Sequence, residues 1–267
     1  MSKYYLCKIL MIVTTTFIII SSSFIGCGRG KKVLQKNEAG RFYSAGLQYL
    51  QAGNINSAYQ ELKKAKDLNP NDAGIHEGLG IVFNFQANYE LALNEFNQAL
   101  NLRPNNPETY NNIGLSYVGL NDLEEAITYF RKAMENPDYP TPERAGYNLA
   151  NAYFQKKDYE NAMKYYKDIL AVAPNIVNAY YNLAEAQSNL KLFEDAVSTY
   201  ESFEKIYDKN PGEVKKEFVA KIFLRWGLVC IKLKQKPLAL EKFRKVLELT
   251  SESEEGKWAK KYLSVLE

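Results

Sequence analysis

Beyond residue 38 the chain alternates between apolar stripes at helical spacing and short polar breaks, and the stripes repeat one another. Ala58, Ala92 and Ala126 stand 34 residues apart, as do Ala162 and Ala196. Four residues after each comes a larger apolar side chain (Leu62, Phe96, Phe130, Tyr166, Tyr200), and three further on stand Ala65, Ala99, Ala133, Ile169 and Phe203. Steps of four and three keep these positions on one face of a helix. Upstream, a second stripe carries the pairs Ala45-Gly46, Leu79-Gly80, Ile113-Gly114, Leu149-Ala150 and Leu183-Ala184, with Tyr49, Phe83, Tyr117 and Tyr153 after the first four. Small residues on one helix and rings on its partner let two helices approach closely. Self-similarity at this period marks stacked helix-turn-helix units, each burying its apolar face only against its neighbours.

The breaks carry the punctuation that such units need. Asn54, Asn88, Asp122 and Asp158 precede the second helix in four units, each suited to cap free backbone N–H groups. Asp122 has Glu125 three residues later, close to a capping box, while Pro70, Pro104 and Pro174 close units one, two and four. Six units follow, at about 39–72, 73–106, 107–140, 143–176, 177–210 and 220–253. In the last, Ala239, Phe243 and Val246 keep the second helix and Trp226-Gly227 the first, but Ala196 and Ala239 are 43 residues apart. Asn210-Pro211-Gly212 marks a turn there, so the following helix is free to start early. Residues 254–267 read as a capping helix, with Trp258, Tyr262 and Leu266 at helical spacing.

The first 26 residues follow different rules. Lys3 and Lys8, the apolar run Ile9–Ile20 and then Ser21–Ser23 are the three parts of an export signal. The strongly apolar part is about a dozen residues, short for crossing a bilayer alone. Phe24-Ile25-Gly26-Cys27 resembles a bacterial lipobox. The resemblance implies removal of residues 1–26 and lipidation of Cys27, leaving the chain on a membrane through acyl chains; several chains anchor firmly where one holds marginally. An uncleaved anchor over residues 9–27 and a conventional soluble secreted form are the alternatives. Residues 27–38 then read as a flexible tether.

Composition narrows the chemistry. Lysine and arginine total 34 against 31 acidic residues, and loss of residues 1–26 would leave 32 against 31. That balance argues against a nucleic-acid surface. His76 is the single histidine and Cys230 the single cysteine after residue 27, which removes most routes to a metal site, a disulfide framework or a His-dependent triad. Cys230, among Leu228, Val229 and Ile231, reads as a small core residue. Lys63-Lys64, Glu124-Glu125 and Lys156-Lys157 read as solvated faces. No phosphate loop, carboxylate pair or nucleophile motif is present, so no enzyme, cofactor or small-molecule substrate is expected.

The repeating pattern over about residues 39–253 resembles the tetratricopeptide repeat. The resemblance implies an all-α, right-handed superhelical solenoid whose first helices line a concave groove. Family geometry points Tyr43 and Leu47, Glu77 and Ile81, Asn111 and Leu115, Tyr147 and Asn151, and Tyr181 and Glu185 into it, with Asn112, Asn148 and Asn182 in a parallel file. Tyrosine beside asparagine suits an extended peptide, rings covering side chains and amides pairing with backbone. Tyr43 stands where a cochaperone-type carboxylate clamp has its leading lysine.

One junction is more distinctive. Asn136-Pro137-Asp138-Tyr139-Pro140-Thr141-Pro142 inserts two residues between units three and four, after a unit that begins Asn-Asn-Pro and carries Tyr110-Asn111-Asn112-Ile113-Gly114. Together with the signal and the six units, this resembles the type IV pilus biogenesis lipoproteins known as PilF or PilW, the pilotins. The resemblance implies an outer-membrane lipoprotein facing the periplasm, with a secretin or another pilus assembly component as partner. A generic envelope scaffold coordinating cell division or outer-membrane protein assembly is the alternative.

Overall fold

The computed structural model describes residues 33–212 and 214–267; the export signal, Cys27 and the lipobox lie outside them. Thirteen helices and no strand make up the described residues. They are α1 (33–51), α2 (Ile55–Leu68), α3 (Ala73–Phe85), α4 (Tyr89–Leu102), α5 (Pro107–Gly119), α6 (Leu123–Met134) and α7 (Pro142–Gln155). Then come α8 (Tyr159–Val172), α9 (Val177–Asn189), α10 (Phe193–Tyr207), α11 (Lys216–Lys232), α12 (Lys236–Thr250) and α13 (Glu254–Leu266). Residues 33–38 are helical where a flexible tether was expected. Helix α11 begins at Lys216 and takes up part of the long step before the sixth unit. The chain divides into two compact units, one ending at Thr109 and one running from Tyr110 to Glu267.

Every helix pair turns in the same way. Gly53, Ala87, Asn121, Lys157, Lys191 and Lys234 all have φ between 57° and 73°. The next residue returns its N–H five positions back, from Asn54 to Tyr49, Asn88 to Phe83, Asp122 to Tyr117, Asp158 to Tyr153, Leu192 to Gln187 and Gln235 to Cys230, at 2.8–2.9 Å. This is the Schellman closure, which satisfies carbonyls that the ending helix leaves free. The same residue then starts the following helix. Asn54, Asp122 and Asp158 accept from the backbone N–H three residues on, each at 3.2 Å. Among the four Asn and Asp positions Asn88 is the exception, sitting at the start of α4 without a side-chain cap bond, and Leu192 and Gln235 make none either. Asp72 and Ser253 cap α3 and α13.

Close approach follows from the size pattern. A Cβ on Gly80 would lie 2.5 Å from the Phe96 ring, and one on Gly227 would lie 2.5 Å from Phe243. Both rings are fully buried. In the unit ending at Thr109, Leu62, Ile75, Leu79 and Val82 form the core. His76 is buried beside it, its Nδ1 2.6 Å from Glu95 and its Nε2 2.8 Å from the Pro70 carbonyl, and Lys66 reaches the same carboxylate at 2.7 Å. That cluster ties α2, α3 and α4 through polar groups that would be costly to bury alone.

In the second unit, one core centres on Phe130, Leu149, Tyr166 and Ile169, and another on Tyr200, Phe203, Phe223, Trp226 and Phe243. The irregular junction before α7 is closed by Tyr139, buried against Ala133 and Ala145 with Tyr110 and Met134 beside it. Helices α6 and α7 pack directly on each other despite the two added residues. Behind α11, Lys242 is buried with its ammonium 3.8 Å from the centre of the Trp226 ring and 3.0 Å from Glu204, and Lys245 meets Glu204 at 2.6 Å.

A polar ladder and a furrow as the candidate functional site

The residues expected to line a groove fall on the first helix of each pair. In the first unit, Glu77 accepts from Asn106 Nδ2 at 2.7 Å and Thr109 Oγ1 at 2.8 Å, with Arg103 3.8 Å away. Tyr43 is half-buried with its hydroxyl close to Gly74, and burial first, then Glu77, pushes its phenol pKa upward. Leu47 is exposed and Ile81 half-buried.

In the second unit the tyrosines and asparagines join one another. Asn148 on α7 donates to Asn111 on α5 at 2.9 Å. Asn182 on α9 donates to Asn151 Oδ1 at 2.9 Å and to the Tyr147 hydroxyl at 3.2 Å, both on α7. Tyr166 on α8 donates to Asn151 at 2.5 Å. The result is a hydrogen-bonded ladder that registers α5, α7 and α9. Asn111 is fully buried, so it presents nothing to a partner; its side chain meets the next first helix instead of solvent. Asn112 is half-buried and Leu115 exposed. Burial is the leading cause that raises the phenol pKa of Tyr147 and of Tyr166.

The ladder does not continue from α9 to α11. There the helices meet through an edge-on contact of Tyr181 with Phe218, ring centres 5.6 Å apart, and through Glu185 to Arg225 at 3.5 Å. Lys221 lies 4.8 Å from the Tyr181 ring centre. Either side of these contacts the furrow opens. A cavity of about 430 Å³ lies at the starts of the two helices, lined by Asn178, Val214 and Phe218 among others. A larger one of about 830 Å³ lies at their ends, where Phe193, Leu228, Ile231 and Tyr262 supply the apolar wall. Burial pushes the Glu185 carboxyl up against the pull of Arg225. Ser188 Oγ, also on the lining, is buried with no hydrogen-bond partner among the described residues.

Arg225, Ser188 and the hydroxyls of Tyr166 and of Tyr200, which donates to Glu185 at 3.4 Å, were not among the sequence candidates. Tyrosine at 166 and 200, where units two and three have phenylalanine, was the available signal, since a buried tyrosine hydroxyl calls for a partner. Cys230 is buried, its thiol pushed up to about 11 by desolvation, as a core residue would be. Among the described residues no group of three or more His, Cys, Asp or Glu side chains is gathered to hold a metal ion, and no helix is long and apolar enough to cross a membrane. Lys156 pairs with Glu124 at 2.6 Å, and both are well exposed.

Comparison with known proteins decides what the repeats are. Family models described as TPR repeat and tetratricopeptide repeat match residues 86–121, 111–175 and 147–211. The repeats are tetratricopeptide repeats. The tetratricopeptide fold matches the structure of Pseudomonas aeruginosa PilF with a TM-score of 0.68 and 23% identity, over 85% of this chain and 99% of that one. It matches PilW, a type IV pilus biogenesis factor, at 0.70 and 22%, over 82% and 97%. YrrB, a tetratricopeptide protein with an unusual peptide-binding site, matches at 0.57 and 20%, over 75% and 97%. The comparison with curated proteins gives no match. A tetratricopeptide array of this kind is a protein-interaction scaffold in type.

Proposed function

We propose that this chain is a non-enzymatic, lipid-anchored tetratricopeptide scaffold of the bacterial outer membrane that acts as a pilotin, holding a secretin segment during type IV pilus biogenesis. The observation that carries the reading is the extent of the likeness: 99% of PilF and 97% of PilW are covered by this one array. The lipobox-like run ending at Cys27 supports an anchor, and the periplasm is the compartment such an anchor faces. The array supplies binding surface without catalytic groups, so its work is to position a partner.

Deleting the gene in its host is expected to leave the secretin monomeric in outer-membrane fractions; normal multimers with normal pili would overturn the pilotin reading. Cys27→Ser is expected to release the protein from membranes, and retention would point to the uncleaved anchor. The second reading is a generic envelope scaffold coordinating cell division or outer-membrane protein assembly, and the likeness to YrrB, a tetratricopeptide protein with a peptide-binding site, supports peptide binding in that role. It predicts co-purification with peptidoglycan or assembly machinery and unaffected pili.

A further inference from the structure

The residues that the repeat pattern marks for binding are the ones the second unit uses to hold itself together. Asn111, Asn148, Asn151 and Asn182 exchange hydrogen bonds along α5, α7 and α9. A partner that engaged their amides would first have to break bonds worth about 1 kcal/mol each. Between α9 and α11 the situation is reversed. The lengthened step leaves two helices bridged around Tyr181, by Phe218 and Lys221, and through Glu185–Arg225, with open space at both ends.

The larger opening has the composition of a recognition site. Part of its wall is apolar, Ser188 on its lining has an Oγ that is buried and unpartnered among the described residues, and its charge is one-sided. Lys191, Arg225 and Lys232 line it against a single carboxylate, Glu185, which Arg225 already engages. Lys191 and Lys232 are exposed and in no ion pair among the described residues. We propose that the furrow between α9 and α11 is the docking site for an amphipathic segment of a partner protein whose apolar face fills the cavity and whose carboxylates meet Lys191 and Lys232. Charge complementarity selects the partner's polar edge, the apolar wall supplies contact area, and Ser188 offers a hydroxyl to a backbone carbonyl. This rests on the scaffold reading above and names the part of the scaffold that does the holding.

The test uses the full chain without residues 1–26 and a synthetic peptide of roughly 14 residues, about 20 Å as a helix. It carries leucines at helical spacing with glutamates between them; its counterpart has lysines for the glutamates. Calorimetric titration is expected to show binding of the acidic peptide alone, weakened about tenfold by Lys191→Glu with Lys232→Glu and more mildly by Ser188→Ala, at unchanged helicity and thermal midpoint. Equal affinity for the two peptides, no binding of either, or full binding by the charge-reversed variant would overturn the assignment. Loss of self-association in that variant by sedimentation, with no effect on the peptide, would assign the furrow to a second copy instead and overturn it too. The two readings fail separately. Intact secretin multimers after deletion sink the pilus role and leave the peptide result standing, whereas absent peptide binding with lost multimers sinks the furrow alone.

Discussion

The step from α7 to α9 and the step from α9 to α11 join helices of the same kind in the same fold, yet they are made differently. The first keeps the 34-residue period, and Asn151 and Asn182 meet across it at 2.9 Å. The second stretches the period to 43 residues, and an aromatic contact with a single ion pair takes over. The difference teaches that a polar ladder needs register more than it needs polar residues. Asparagine has a short side chain, so a shift of an ångström or two between helices breaks its bonds, while rings and an arginine bridge a wider gap. One step is closed by hydrogen bonds; the other leaves space.

The strongest way to break that contrast is to remove the wall behind the furrow. Trp226 is buried, stacked on Phe223 and Tyr200 at 5.9 Å each, and covered by the Lys242 ammonium. Trp226→Ala is expected to lower stability by about 3–5 kcal/mol, with α11–α13 melting ahead of the rest in hydrogen exchange. A single cooperative loss over all helices would count against separate stability of the two steps.

The ladder itself comes next. Asn182→Ala removes the donor to Tyr147 and one of the two donors to Asn151, which keeps Tyr166, at a cost of about 1–3 kcal/mol. Ser188→Ala in the furrow is expected to stay within about 0.5 kcal/mol. Urea midpoints for the pair read the contrast directly, and equal shifts would erase it.

Acidification separates the two faces of this region by sign. Burial alone would raise Glu204, but the ammoniums of Lys245 and Lys242 hold its carboxyl below the ordinary range. Its contribution is therefore present above the ordinary carboxylate pKa and is lost as pH falls through the lowered value. Glu185 is raised by burial, so the folded state holds its proton more tightly; its contribution is greatest at low pH and is lost as pH rises through the raised value. Stability measured from pH 7 down to 3 is expected to flatten in Glu204→Gln and to fall more steeply in Glu185→Gln. The same slope change in both variants would contradict the assignment.

The smallest effect tests whether the turns are indifferent to the step that precedes them. Lys157 and Lys234 adopt φ of 64° and 59°, a region that penalises a β-carbon. Lys157→Gly and Lys234→Gly are each expected to stabilise by about 0.5–1 kcal/mol, by equal amounts if both turns are the same closure. Thermal midpoints of the two variants would reveal an inequality.

Much of the fold was legible beforehand because its causes are local. Gly80 opposite Phe96 and Gly227 opposite Phe243 are size pairs that a 34-residue comparison exposes directly. Asn54, Asp122 and Asp158 cap as their types suggest, whereas Asn88 stands in the same place without the bond, since position within a turn does not fix a side-chain rotamer. The helical state of residues 33–38 was not visible, because they show no regular apolar stripe. At the candidate site, the pattern marked Asn111 for a partner, whereas the structure buries it. An asparagine facing solvent and one facing the next helix look alike in a list of residues, and only burial tells them apart.

The sequence by itself determined the helices, their pairing and their turns, since each depends on residues within one repeat and on simple matches of size. The tertiary structure decided which polar groups are engaged and which stay open. Those bonds join residues 31 to 37 positions apart, and they form only when whole helices arrive within a fraction of an ångström of register. A nine-residue change in one connection therefore leaves the helices as predicted and changes what lies between them.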